Sequence, residues 1–299
     1  MASYVIFTDA AVDMPVEDFR KYDIRVIPMD FMLGEESISY TPDSPERDAI
    51  CRRLYAAERE GKDVHTSQIP PYRYIKHWEK ELKAGNDLLY IAFSSGLSTT
   101  FENAKAAAEE LREKYPERQI RLVDSKAATS GQGVFVEAAG INRDEKGMDL
   151  EANAVWLEAH VPNLCHRFTV GDLNYLHKGG RVSAATALIG GMLEIKPCMI
   201  IDDEGCLQVV AKATGKKMAM RNLIKAYQQE AGIEDEVPKL IFITHSANDE
   251  DANLLAEKVR AVVDPDTRIE VMLQSPIIGA HTGPWFVSLC GWGKHRMSK

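Results

Sequence analysis

The sequence predicts an α/β protein of two α/β domains, the first with a mainly parallel sheet and the second mixed α+β. Three observations predict it. Short apolar runs alternate with helical patterns through the first half, and two β-prone runs flank an acidic, glycine-closed turn in the second. The chain has 299 residues, enough for two domains of about 150 residues, each able to bury an ordinary core. The division expected is 1–162 and 163–299.

Residues 4–8, 25–29, 88–93 and 120–123 are apolar runs of strand length, separated by helical patterns at 16–22, 46–60, 71–84 and 101–114. Strands alternating with helices imply parallel βαβ units and a sheet covered on both faces. Ligands of such sheets gather at the carboxyl ends of the strands. Three of those ends here are polar: Thr8-Asp9, Ser94-Ser95 and Asp124-Ser125. Each also suits an ordinary helix cap, so their coincidence on one sheet edge is the informative point. After the 147–162 segment the pattern changes. Residues 196–201 and 206–210 flank Asp202-Asp203-Glu204-Gly205 as the arms of a hairpin, and further strands at 240–245 and 268–272 surround a helix at 249–263.

Composition narrows the function. A net charge of -9 with mixed signs disfavours nonspecific nucleic-acid binding. The five cysteines (Cys51, Cys165, Cys198, Cys206, Cys290) are scattered without C-x-x-C spacing, against a disulfide framework or a zinc ribbon, and the histidines lack metal spacing. No segment approaches the roughly 20 apolar residues of a membrane helix, so no stable membrane insertion is expected. The opening residues 1–7 have no basic region and meet Thr8-Asp9 too early for a secretory leader. A cytoplasmic protein without metal or cofactor is the expectation.

The strand at 87–93 runs into Ser94-Ser95-Gly96-Leu97-Ser98-Thr99-Thr100 and then an alanine-rich helix, so it delivers hydroxyls to a helix N-terminus whose free N–H groups favour an anion. A second island, 275–284, sets His281-Thr282 between glycines, where the backbone can approach a ligand and the imidazole can donate or carry charge. A third, 172–182, ends in Gly179-Gly180-Arg181, and Arg181 can meet an anion or an acidic partner. No phosphate-binding G-x-x-x-x-G-K-[ST] loop, G-x-G-x-x-G fingerprint, H-E-x-x-H or G-x-S-x-G elbow is present. A serine hydrolase using Ser95 and His281, with Asp9, stays open, because triads are recognised by geometry. So does a binder of phosphorylated or other anionic metabolites.

At these residues the chain resembles the DegV family, bacterial fatty-acid-binding proteins that work with a separate fatty-acid kinase. The likeness covers nearly the full length. Its ordered motifs are Thr8-Asp9 with Asp13 and Pro15, Thr66-Ser67-Gln68 with Pro70, Ser94-Ser95-Gly96-Leu97-Ser98, and Val123-Asp124-Ser125. Asp172-Leu173 with Leu176, Lys178 and Gly179-Gly180-Arg181 follow, then Lys196-Pro197, and Gly279 with His281-Thr282-Gly283-Pro284. The resemblance implies a long-chain fatty acid, C14 to C18 for example, clamped in the interdomain cleft. Thr66, Ser67, Ser94, Ser95, His281 and Thr282 would form the carboxylate site, with Arg181 near the head group or the face offered to the kinase. It implies a lipid carrier rather than an enzyme, with phosphorylation performed in trans. Four positions depart from the family pattern: Ala10, Thr99, Thr214 and Trp285. Trp285 is expected to narrow the pocket, and Thr214, which lacks the arginine often seen near it, to affect kinase docking.

Overall fold

The computed structural model describes residues 4–183, 194–232 and 237–296; residues 1–3 of the amino-terminal reading lie outside them. In chain order the first half forms β1 (Tyr4–Asp9), α1 (Val16–Lys21), β2 (Ile24–Ile27), β3 (Met29–Leu33), β4 (Glu36–Tyr40), α2 (Arg47–Arg59), β5 (Val64–Thr66), α3 (Pro71–Lys83), β6 (Asp87–Ala92), α4 (Thr100–Lys114), β7 (Ile120–Asp124), α5 (Thr129–Asp144) and α6 (Leu150–His160). The second half forms β8 (Leu164–Val170), α7 (Leu173–Lys178), β9 (Ile195–Ile201), β10 (Leu207–Thr214), α8 (Lys216–Glu230), β11 (Leu240–His245), α9 (Asp249–Arg260), β12 (Arg268–Leu273), α10 (Pro276–Thr282) and β13 (Phe286–Trp292).

Every residue of β1 and β6 is apolar or hydrogen-bonded, and every one is buried, which requires cover on both faces. The strands pair in the order β2-β1-β6-β7, all parallel, with Ile6 opposite both Ile24 and Leu89. The second sheet, β10-β9-β8-β13-β11-β12, is mixed: β11 and β12 run parallel and its other pairs antiparallel. The expected hairpin is its β9–β10 edge, with a register shift between Val209 and Ala211. The α/β class, a parallel first sheet and a mixed second one are therefore as the sequence predicts.

Two features were not expected. A small antiparallel sheet, β4-β3-β5, branches from the first half and carries Thr66 on its shortest strand. Residues 275–284, read as a glycine loop, contain helix α10, started by Pro276 in its first turn and by Ser275, whose Oγ accepts from the Ile277 N–H at 3.2 Å.

Helix α5 joins the layers. Thirteen of its sixteen residues are buried, so it has no solvent face and no amphipathic period. Glycines let it pack that tightly: a Cβ at Gly133 would lie 2.1 Å from the Asp13 carbonyl oxygen, and one at Gly131 would lie 2.4 Å from His166 Nδ1. The largest core cluster likewise takes Phe7, Trp78 and Tyr90 from one half and Phe168, Met199 and Phe286 from the other. Truncating such a buried aromatic to alanine costs about 3 to 5 kcal/mol, so the two halves stabilise each other through shared packing. Among the described residues no helix is long and apolar enough to cross a membrane, and no cluster of His, Cys, Asp and Glu is arranged to hold a metal ion.

Candidate functional site

The apolar strand β6 ends at Ala92, and after Phe93 the chain turns toward the β9–β10 hairpin. Ser94 Oγ donates to the Gly205 carbonyl at 2.8 Å, fastening the loop to the hairpin turn. Gly205 has φ +79°, and a Cβ there would meet Ser94 Oγ at 2.2 Å, so glycine is needed for both conformation and space. Ser95 faces elsewhere. Its N–H donates to Asp124 Oδ1 at 3.2 Å and its Oγ accepts from Lys126 Nζ at 2.9 Å, while Lys126 also pairs with Asp124 at 3.2 Å. With a lone pair of Oγ engaged by the ammonium, the hydroxyl proton is left to point at an acceptor.

Thr66, at the end of β5, and His281, in the last turn of α10, share a hydrogen bond of 2.8 Å between Oγ1 and Nε2. Burial, reinforced by the charge of Arg181 and by His65, pushes the His281 imidazole down to about 4, so it is neutral near pH 7. Gly179 closes against its other edge, where a Cβ would lie 2.5 Å from Nδ1. Arg181 Nε donates to the Leu97 carbonyl at 3.2 Å and Nη1 donates to that of Gly179, bracing the serine loop against the end of α7. Thr282 is committed to the fold: its Oγ1 donates to Gln274 Oε1 at 2.9 Å, which also accepts from Tyr55 at 3.0 Å.

These residues surround a cavity of about 590 Å³ between the carboxyl edge of the parallel sheet and the six-stranded sheet. Thr66, Ser67, Ser95, Arg181, His281 and Thr282 line it; Ser94 does not. The remaining wall is largely apolar, with Met29, Phe93, Leu97, Phe168, Leu176, Ile201, Leu207, Ile277, Ile278 and Phe286. Such a volume and such a mixture suit a small amphiphile. Gln68, named in a family motif but not assigned to the site, also lines it, as do Thr129 and His166, which were missed in the sequence. Thr129 Oγ1 and His166 Nδ1 are buried without a partner among the described residues, and burial, helped by Arg296, pushes His166 down to about 3. Neither had a sequence signal: His166 is an interior residue of β8, and Thr129 opens a helix that has no period.

One departure, Trp285, resolves differently from expectation. Trp285 does not narrow the cavity: it packs away from it, its Nε1 donating to Asp251 at 2.8 Å under the Lys216 ammonium 4.9 Å from the ring centre. Ala10 is buried and offers its carbonyl to Ser275 Oγ at 2.7 Å. Thr99 is at the cavity, donating to Gln68 Oε1. The Ser95, His281 and Asp9 triad is not assembled. Ser95 Oγ meets Lys126, His281 Nε2 meets Thr66, and Asp9 is enclosed by Tyr90, Gln132 and the Phe93 N–H.

Comparison with known proteins places the chain in a family. A DegV domain-containing protein of Clostridium perfringens is 37% identical over 284 residues, 95% of either chain. A Thermus thermophilus structure, described as fatty acid binding of a DegV family protein, is 26% identical with a TM-score of 0.83, covering 97% of this chain and 99% of that one. The Streptococcus pneumoniae fatty acid kinase (Fak) B3 protein, loaded with linoleic acid, has the same fold at 17% identity, with a TM-score of 0.82 over 98% of this chain and all of that one. Residues 3–292 match the family described as "Uncharacterised protein, DegV family COG1307", and the chain belongs to the DegV family.

Proposed function

We propose that this protein binds one long-chain fatty acid, holds its carboxylate with Thr66, Ser95 and His281, and presents it to a separate fatty-acid kinase. The observation that carries the reading is the cavity itself, a wall of apolar side chains interrupted by convergent hydroxyls, two neutral imidazoles and one guanidinium. The fatty-acid binding described for the Thermus thermophilus relative supports it.

The energetics divide the work. Burying a methylene is worth about 0.8 kcal/mol, so about twelve of them give a gross ~10 kcal/mol before ordering costs. Hydrogen bonds from uncharged donors to a carboxylate add about 1.5 to 3 kcal/mol each. The tail supplies affinity, and the hydroxyls set the position of the head. Ser95 donates the proton that Lys126 leaves free, and Thr66 and His281 complete the cradle. Arg181, braced on Leu97 and Gly179, supplies positive charge at the rim, where a kinase active site has to reach the carboxylate. Ser67 and Thr282 shape the wall, and Ser94 acts through the hairpin turn that it anchors.

The test is a calorimetric titration of delipidated protein with palmitate. Ser95→Ala and His281→Ala are expected to weaken binding about tenfold or more while the melting temperature changes little. Unchanged palmitate binding in both variants would remove these residues from the site. Absence of binding by the parent protein would remove the function.

A further inference from the structure

Behind the head-group residues lies a second chamber of about 340 Å³. Thr66, Arg181 and His281 line both cavities, so the proposed carboxylate cradle is the partition between them. The wall of the second chamber includes Glu58, at the carboxyl end of α2. It is only 4% exposed, and its Oε2 is buried with no hydrogen-bond partner among the described residues. A buried carboxyl group without partners is costly as an anion and tolerable as a neutral acid.

We propose that Glu58 is a specificity-determining residue for the bound head group: neutral, it lets the anion settle against the partition; ionised, it opposes that anion from behind. The proposal rests on the fatty-acid reading of the larger cavity. Its warrant is the layout, in which a buried carboxyl group lines the chamber on one side of Thr66, Arg181 and His281 and the cavity proposed for the ligand lies on the other.

Charges facing Glu58 come from each neighbouring element. On its own helix Arg59 is the nearest cation, but its guanidinium is engaged by the carbonyls of Ser246, Ala247 and Pro284. The following turn contributes Lys62, paired with Glu60 at 3.0 Å, and Asp63. Strand β5 contributes His65, α7 contributes Tyr175 and Lys178, and the partition contributes Arg181 and His281. Tyr55 also senses the Glu58 charge. Burial outweighs the Arg59 charge and pushes the Glu58 carboxyl up to about 8, which places its ionisation within reach of a binding experiment.

The experiment is a titration of delipidated protein with palmitate from pH 6.5 to pH 9, beside Glu58→Gln and beside 1-hexadecanol as an uncharged probe. The parent protein should lose several-fold in palmitate affinity across this range, because an ionised Glu58 beyond the partition repels the ligand carboxylate. Glu58→Gln should lose markedly less, and 1-hexadecanol should bind with no such loss. Superimposable palmitate profiles for parent and variant would overturn the proposal, as would an equal loss for 1-hexadecanol. The comparison of the two probes needs only the parent protein, so an equal loss overturns the proposal even where the variant folds poorly, and the Glu58→Gln profile separates Glu58 from the other buried acids, Asp13 and Glu137. If the parent binds no palmitate at pH 6.5, the fatty-acid reading fails instead.

Discussion

His166 gives the sharpest quantitative prediction. It is 4% exposed on β8, pressed against Gly131 of α5, and held down to about 3 against an ordinary value near 6.5. Because the folded-state value is depressed, the unfolded chain binds the extra proton between these limits. The contribution is fully present above pH 6.5 and is lost as pH falls toward 3. At pH 5 the unfolded imidazole is about 1.5 units below its own pKa and protonated, while the folded one is neutral, and 1.5 units at about 1.36 kcal/mol each is about 2 kcal/mol. Asp13, Glu58 and Glu137, raised by burial to about 7, 8 and 8, drive the whole protein the opposite way over the same range. The quantity to measure is therefore the stability difference between the parent and His166→Asn, both delipidated, in guanidinium unfolding at pH 8 and pH 5, where those acids cancel. The variant should improve relative to the parent by about 2 kcal/mol on going to pH 5. A difference that does not change with pH would refute the reasoning.

Thr66→Val removes the partner of His281 Nε2 and a donor to the proposed carboxylate; palmitate affinity should fall by about 1.5 kcal/mol, roughly tenfold, in calorimetry, with the melting temperature nearly constant. Gly205→Ala places a Cβ on Ser94 Oγ at φ +79° and should cost about 1 to 3 kcal/mol in chemical denaturation, with release of the serine loop. For saturated acids of increasing length, each added methylene should tighten binding about fourfold until the chain outgrows the cavity, a break that marks the tunnel's end.

The sequence is most legible where a pattern is local. The buried strands β1 and β6 announce themselves as apolar runs ending in hydroxyls, and Gly205 closes a turn whose arms are visibly β-prone. Helix α5 is not legible, because burial on every side erases the period by which a helix is recognised, and its role depends on gaps left by Gly131 and Gly133. Helix α10 carried a start signal in Ser275-Pro276, masked by Gly279, which is small because the Tyr55 hydroxyl would lie 2.5 Å from any Cβ. At the candidate site, one of the three polar strand ends, Ser94-Ser95, leads into a loop that lines the cavity, and Thr8-Asp9 and Asp124-Ser125 do not line it. Which hydroxyl faces the cavity was decided elsewhere. Ser94 turns to Gly205 and Ser95 to the cavity because a hairpin more than a hundred residues later packs on that loop. His166 enters the wall only through the pairing of β8 with β13, which no local pattern encodes.

The central claim is that the cavity holds one fatty acid by its carboxylate. Native mass spectrometry of protein purified without detergent or organic solvent tests it most directly. The account predicts one added mass of a C14 to C18 fatty acid per chain, removed by delipidation and restored by palmitate but not by its methyl ester. No added mass, together with no uptake of palmitate by the delipidated protein, would contradict it.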